Sequence, residues 1–220
     1  MKKNNVLFVE LRKKTENFKI NFSELDKLKG KTISLASTIQ YLDFLPIIKS
    51  YLEKQGKKVI IKKGPAYPGH VIGCKSFAFD SKADNLLLLA DGKFHALNNA
   101  LDLNRDIWIF NLKTLDSFFK QDLEKIEKRK KIAMTKFLLS TSVGLIVSTK
   151  SGQNYPLYNS IKEKLEKKGK KVYVLETDNL NLQDLDNFSL PSYINTACPG
   201  LFLDDEQNRI INIKDVLGVL

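Results

Sequence analysis

Leu52-Glu-Lys-Gln-Gly-Lys-Lys-Val-Ile-Ile-Lys62 recurs further along the chain as Leu165-Glu-Lys-Lys-Gly-Lys-Lys-Val-Tyr-Val-Leu175. Each copy reads as the lysine-rich end of a helix, a glycine that caps it, and a β-branched strand. The likeness extends upstream, where Thr32-Ile-Ser-Leu-Ala-Ser-Thr38 parallels Val143-Gly-Leu-Ile-Val-Ser-Thr149. Each of these is a short apolar strand that ends in Ser-Thr and runs into a helix. Leu42, Leu45, Ile48 and Leu52 stripe a helix from Tyr41 to Gln55, and Leu157, Ile161 and Leu165 stripe another from Tyr155 to Lys168. Two strands joined by a helical crossover run parallel, with a right-handed connection. The expected fold class is therefore α/β, with two similar domains whose parallel sheets are flanked by helices.

Outward from the repeat, Asn85 to Ala90 and Asp106 to Phe110 are continuous apolar runs of the kind that form buried parallel strands. An amphipathic helix from Asp116 to Leu139 opens the second half. Val6 to Glu10 reads as a strand that precedes the first repeat, a remnant of a third domain. The expected division is residues 1–29 as remnant strand and linker, 30–115 as a middle α/β domain, and 116–220 as a C-terminal α/β domain.

The chain has 220 residues, enough for two small domains. With 43% hydrophobic and 28% charged residues it has globular rather than disordered composition. No apolar run approaches the roughly 20 residues that span a bilayer. The N-terminus lacks a signal-peptide core and cleavage site, so a cytoplasmic protein is expected. The formal net charge of +11 invites a nucleic-acid reading. Arginine, however, occurs only at Arg12, Arg105, Arg129 and Arg209. Grooves for nucleic acid favour arginine with interleaved aromatics. The lysines read instead as solvated helix faces, or as a field that steers an acidic or ribosome-associated partner.

In α/β sheets, ligands bind beyond the carboxyl ends of the strands. Both cysteines fall in such places. Cys74 closes Pro68-Gly-His-Val-Ile-Gly-Cys74, and Cys198 sits in Tyr193-Ile-Asn-Thr-Ala-Cys-Pro199. Each is read as following the second strand of its repeat. Their spacing is not that of a zinc finger, and a cytosolic chain is not expected to hold a disulfide. Taken alone, each reads as a small buried hydrophobe. Taken with the repeat, two similar domains that each offer one thiolate read as sharing an inorganic centre.

Ser148-Thr-Lys-Ser-Gly-Gln153 is a polar loop between strand and helix, suited to a carboxylate or phosphate, or equally an ordinary Ser/Thr helix cap. Asp91-Gly-Lys-Phe-His95 is a turn whose histidine is either an acid–base group or a hydrogen-bonded structural one. P-loop, HExxH, GxGxxG and Ser/His/Asp patterns are absent from the sequence.

Together, Ala36-Ser-Thr-Ile-Gln40, Tyr67-Pro-Gly-His-Val-Ile-Gly-Cys74, Asp91-Gly-Lys-Phe-His95, Val147-Ser-Thr-Lys-Ser-Gly-Gln153 and Asn195-Thr-Ala-Cys-Pro199 resemble the diphthamide-synthesis radical enzymes, the 2-(3-amino-3-carboxypropyl)histidine synthase family of archaea. The resemblance covers nearly the whole chain from about Asn5. It implies three similar α/β domains that each give one cysteine to a four-iron, four-sulfur cluster, with S-adenosylmethionine at the fourth iron. It implies transfer of a 3-amino-3-carboxypropyl group, as a radical, to a histidine of translation elongation factor 2, with the cofactor supplying the chemistry.

Mapped onto this chain, Cys74 and Cys198 are the metal ligands. Gly92, His95, Gly152 and Gln153 fall where cofactor contacts are expected. Three departures stand out: the first domain and its cysteine are not matched, His70 replaces a usual Gln, and Gly200 replaces a usual Arg. The leading expectation is an enzyme that works as a homo- or heterodimer, completed by a separate N-terminal chain carrying the third cysteine. The alternatives are a non-catalytic relative that binds elongation factor 2 or supports a catalytic paralogue, and a metal-free small-molecule binder. Membrane and nucleic acid are not expected partners.

Overall fold

Lys58, Val59 and Ile60 pair in parallel with Thr32, Ile33 and Ser34, which joins the two strands of the first repeat copy. In the computed structural model, which describes residues 7, 9–73, 77–118 and 120–220, that copy comprises β1 (Thr32–Ser37), α1 (Leu45–Lys54) and β2 (Lys58–Ile60). The chain then crosses to the other side of β1. There β3 (Asn85–Leu89) pairs in parallel, α2 (Phe94–Leu103) follows, and β4 (Ile107–Phe110) pairs with β3. A short hairpin adds β5 (Leu115–Phe118), antiparallel to β4. The sheet order is β2-β1-β3-β4-β5.

In the second unit, α3 (Lys120–Leu139) leads into the second repeat copy of β6 (Ser142–Ser148), α4 (Tyr158–Lys167) and β7 (Lys171–Thr177). After it come β8 (Tyr193–Asn195), α5 (Leu201–Asp204), β9 (Ile210–Asn212) and α6 (Ile213–Val216). The order is β7-β6-β8-β9, and every pairing is parallel. The two compact units are Met1–Leu123 and Glu124–Leu220.

The repeat's chemistry is used twice. Gly56 and Gly169 end α1 and α4 with φ of +76° and +79°, a conformation that costs an L side chain. Lys57 then reaches back to donate to the carbonyls of Leu28 (2.7 Å) and Gly30 (3.0 Å). Lys170 does the same to those of Phe137 (2.9 Å) and Leu138 (3.2 Å). In both copies the lysine fastens the segment that enters the first strand. Leu45, Ile48 and Leu52 bury one face of α1 in a core with Ile33, Leu35 and Leu87. Ile161 and Leu165 of α4 pack with Val143, Leu145 and Val147 of β6.

Several expectations need correction. The helix expected from Tyr41 is a 3-10 turn over Ile39–Phe44, with the α-helix starting at Leu45. Pro46 lacks an N–H and sits in the first turn, where none is needed. The helix expected from Asp116 starts at Lys120, because Leu115–Phe118 satisfies the open edge of β4 instead. Of the expected strand Val6 to Glu10, the described residues Leu7, Val9 and Glu10 join no ladder, and Leu7 and Val9 are exposed. A strand needs a neighbour for its backbone groups, and these residues have none among the described residues. No helix among the described residues is long and apolar enough to cross a membrane.

Candidate functional site

The strand orders place a topological switch point in each unit, between β1 and β3 in the first and between β6 and β8 in the second. There the chain departs to opposite sides, the place beyond the carboxyl ends where α/β sheets bind ligands.

In the second unit this crevice is a cleft of about 220 Å³. Ser148, Lys150 and Gln153 come from the loop after β6, Thr177 to Leu180 from the end of β7, and Ala197, Cys198 and Leu201 from the segment after β8. Cys198 is a free, half-buried thiol on its wall. Its motif explains its fixity. Asn195 is almost fully buried. Its amide N–H groups donate to the Cys198 carbonyl (2.7 Å) and to Asn212 Oδ1 (2.8 Å), and its Oδ1 accepts the Ala197 N–H (2.9 Å). Asn212, paired in register with it across β9, donates in turn to the Pro199 carbonyl (3.1 Å). Thr196 donates through Oγ1 to the Ile146 carbonyl (2.7 Å). The polar groups flanking the cysteine are thus spent on holding the backbone of its loop.

The loop after β6 behaves as a turn. Gln153 N–H donates to the Lys150 carbonyl (3.1 Å), Asn154 closes onto the Ser148 carbonyl (3.0 Å), and Gly152 has φ +81° with open space around it. Thr149 hydroxyl donates to Asp178, and Lys150 to Asn179. The Ser/Thr helix cap read from the sequence is not formed here. α4 begins only at Tyr158, and its cap residue Leu157 has no side chain able to accept.

In the first unit, β1 and β3 end at Ser37 and Leu89. His70 bridges in parallel to Ser37, so the segment leading to Cys74 runs along this carboxyl edge. Cys74 itself lies outside the described residues. A side chain on its neighbour Gly73 would meet the rings of Phe94 and His95. His95 stands in the first turn of α2, just after the turn at Gly92 (φ +75°). Ser37 Oγ, His70 Nδ1, His95 Nδ1 and Asn99 Oδ1 are buried here without a hydrogen-bond partner among the described residues. Burial pushes both histidines below the ordinary imidazole value, and for His95 the neighbouring His70 adds to the effect. Buried polar groups normally find partners, so four orphans from β1, the β2–β3 connection and α2 mark a place where a polar ligand or water is accommodated.

The two cysteines do not occupy equivalent positions in the repeat, contrary to the sequence reading. Cys74 falls in the connection between β2 and β3, after the second strand of its unit. Cys198 follows β8, the third strand of its unit. β8 is three residues long, too short to show a strand period. Among the described residues no three of His, Cys, Asp or Glu form a metal-holding group. Cys198 thus fits an iron–sulfur centre as one thiolate ligand, not as part of a complete set within its own unit. Asn195 and Thr196 belong to the quoted Asn195–Pro199 motif but carried no role of their own in the sequence, and Asn212 was not singled out at all.

Comparison with known proteins bears on the family and the fold. The family model for diphthamide synthesis proteins matches residues 1–209. The chain is 28% identical over 194 residues to the 2-(3-amino-3-carboxypropyl)histidine synthase of Pyrococcus horikoshii, covering 86% of this chain and 56% of that protein. It is 28% identical over 190 residues to the Methanocaldococcus jannaschii protein of the same name, covering 84% and 50%. The chain spans about half the length of the curated relatives it matches. Among solved structures it is similar to Dph2 from Pyrococcus horikoshii, with a TM-score of 0.77 and 26% identity over 91% of this chain and 61% of that one. The same protein with a 4Fe-4S cluster gives 0.75 and 26%, over 91% and 60%.

Proposed function

The chain belongs to the diphthamide synthesis protein family, and from that premise we propose that it is part of the enzyme transferring a 3-amino-3-carboxypropyl group from S-adenosylmethionine to a histidine of translation elongation factor 2, the first step of diphthamide biosynthesis. The observation that carries this reading is Cys198: a free, half-buried thiol on the wall of a cleft beyond β6, β7 and β8, its loop held by Asn195, Thr196 and Asn212.

In this reading Cys74 and Cys198 each donate one thiolate to a four-iron, four-sulfur cluster, and a complementary domain gives the third. Bound there and reduced by an external one-electron donor, the cluster would supply the one-electron chemistry for cleaving S-adenosylmethionine. This chain's own residues bind and orient. The turn at Gly92 and His95 in the first unit, and that at Gly152 and Gln153 in the second, contact the S-adenosylmethionine. The orphaned polar atoms at Ser37, His70, His95 and Asn99 give its charged methionine end partners in the first unit. A second hollow of about 530 Å³ shares Leu180 and Leu201 with the cysteine cleft and gives room for the histidine-bearing segment of the protein substrate. The partners are elongation factor 2 and the chain or domain that completes the ligand set, in a homo- or heteromeric assembly working in the cytoplasm.

One observation favours a second reading, in which the chain is a non-catalytic relative. Gly200 is buried directly after Cys198-Pro199 and offers no side chain where the family usually has an arginine. The experiment is an anaerobic transfer assay with carboxyl-labelled S-adenosylmethionine, elongation factor 2, dithionite as one-electron reductant and the reconstituted chain, supplemented with the portion that the Pyrococcus protein has beyond the match. Label should appear on one histidine and vanish in Cys198→Ser. Equal labelling in Cys198→Ser, or none in the intact assembly, contradicts the catalytic reading.

A further inference from the structure

Residues 10–13 lie across the carboxyl edge of the first sheet and tie down three separate connections at once. The Lys13 N–H donates to the carbonyl of Gln40 (2.9 Å), in the turn that follows β1. Its ammonium donates to Tyr41 Oη and to Asp91, each at 2.6 Å, and Tyr41 Oη donates to the same carboxylate. Tyr41 is 1% exposed, so this trio satisfies an otherwise buried hydroxyl. The ammonium also faces the rings of Tyr41 (4.2 Å) and Phe18 (5.2 Å). Burial acts against the charges, yet the mutual bonds hold the Asp91 carboxyl below its ordinary range and the Lys13 ammonium above its own.

Beside it, Arg12 donates to Asp43 (2.9 Å) and to Glu10 (3.0 Å), and its guanidinium lies 4.6 Å from the centre of the Tyr67 ring. Tyr67 donates to Glu10 (2.7 Å). Tyr67 opens the segment that runs through His70 and Gly73, and Asp91 opens the turn that presents Gly92 and His95. The three clasped connections are thus the post-β1 turn, the β2-to-β3 segment and the β3-to-α2 turn.

We propose that this N-terminal strap is a clasp setting the relative positions of the three connections around the first unit's crevice, with Lys13 as its pin and a positioning residue for the site. The inference deepens the functional reading above and rests on it for what the crevice binds, but not for the clasp itself. An exposed ion pair is worth little alone. Here one ammonium serves two acceptors on two connections and lies against two aromatic faces, so its removal loosens both ends together.

The test uses the full chain and amide hydrogen exchange. Lys13→Met should speed exchange roughly tenfold at residues 40–43, 67–71 and 91–95, as local opening without global unfolding does. β1, β3 and the whole second unit should remain as they were. Lys13→Arg should largely restore protection, since a guanidinium can also donate to both Tyr41 and Asp91 and lie against the same rings. No change at 67–71 and 91–95, or a uniform rise through β1 and β3, overturns the clasp. Affinity of the reconstituted assembly for S-adenosylmethionine separates the two ideas. Local loosening with unchanged affinity upholds the clasp and counts against Gly92 and His95 as cofactor contacts.

Discussion

Lys57 in the first unit fastens the carbonyls of Leu28 and Gly30, and Lys170 in the second fastens those of Phe137 and Leu138. Gly56 and Gly169 end their helices at nearly the same φ. Through strand, helix and second strand the two copies solve the same problem with the same residues. Beyond the carboxyl ends they part. The first unit spends its crevice on two histidines, four orphaned polar atoms and a strap from the N-terminal segment. The second has no histidine and a thiol whose loop is held by a buried asparagine pair. The duplicated frame supplies parallel strands and a crevice, and the loops that feed the crevice diverge freely because they contribute little to the core.

That comparison can be broken at several points. The largest effect belongs to the frame. Leu52→Ala and Leu165→Ala each remove a fully buried side chain at matching positions and should cost roughly 2–5 kcal/mol. Protection measured separately over β1–β4 and β6–β9 should fall by similar amounts, each in its own unit. A large loss in one copy and a negligible one in the other would mean the frames are not energetically alike.

Asn195→Ala comes next and should act on the second unit alone. It strands Asn212 and the Cys198 carbonyl, a cost of about 1–3 kcal/mol. Iodoacetamide should modify Cys198 faster in the variant than in the parent. An unchanged rate would show that the asparagine pair does not hold the thiol. Gly56→Ala and Gly169→Ala should each cost about 1 kcal/mol, since nothing crowds either site and only the left-handed backbone objects. Unequal thermal shifts would break the equivalence of the two caps.

The smallest effect is a pH asymmetry. Both histidines lie in the first unit and are held below their ordinary value of 6.5. As pH falls below that value the unfolded chain takes up protons that the folded unit refuses. Stability of the first unit is therefore full above about pH 6.5 and declines below it, by less than one proton per histidine. The second unit should show no histidine component. In spectra recorded between pH 7.5 and 5.5, first-unit amides should lose protection selectively, and His70→Gln with His95→Gln should abolish the difference.

Much of the frame was legible because the repeat is long and locally consistent: strand, periodic helix, glycine and β-branched strand all agree. What escaped was short or non-local. β8 and β9 have three residues each and show no period, so the cysteines looked equivalent when Cys198 in fact follows a third strand. β5 was absorbed into the helix, since Phe118, Leu123 and Ile126 continue its apolar spacing. In the site, both cysteines stood out by scarcity. The Asn195–Asn212 pair depends on the register of two parallel strands, and Lys13 meets Asp91 only through the fold. Neither pairing leaves a local pattern in the sequence.

The central claim is that these two divergent loops each give one thiolate to a shared iron–sulfur centre. Iron and acid-labile sulfide should be measured after anaerobic reconstitution of the chain with the portion that its Pyrococcus relative has beyond the match. The account predicts about four of each per assembly, as in the 4Fe-4S relative, with loss of most of both in Cys74→Ser and in Cys198→Ser. Full iron content in the double serine variant would contradict it.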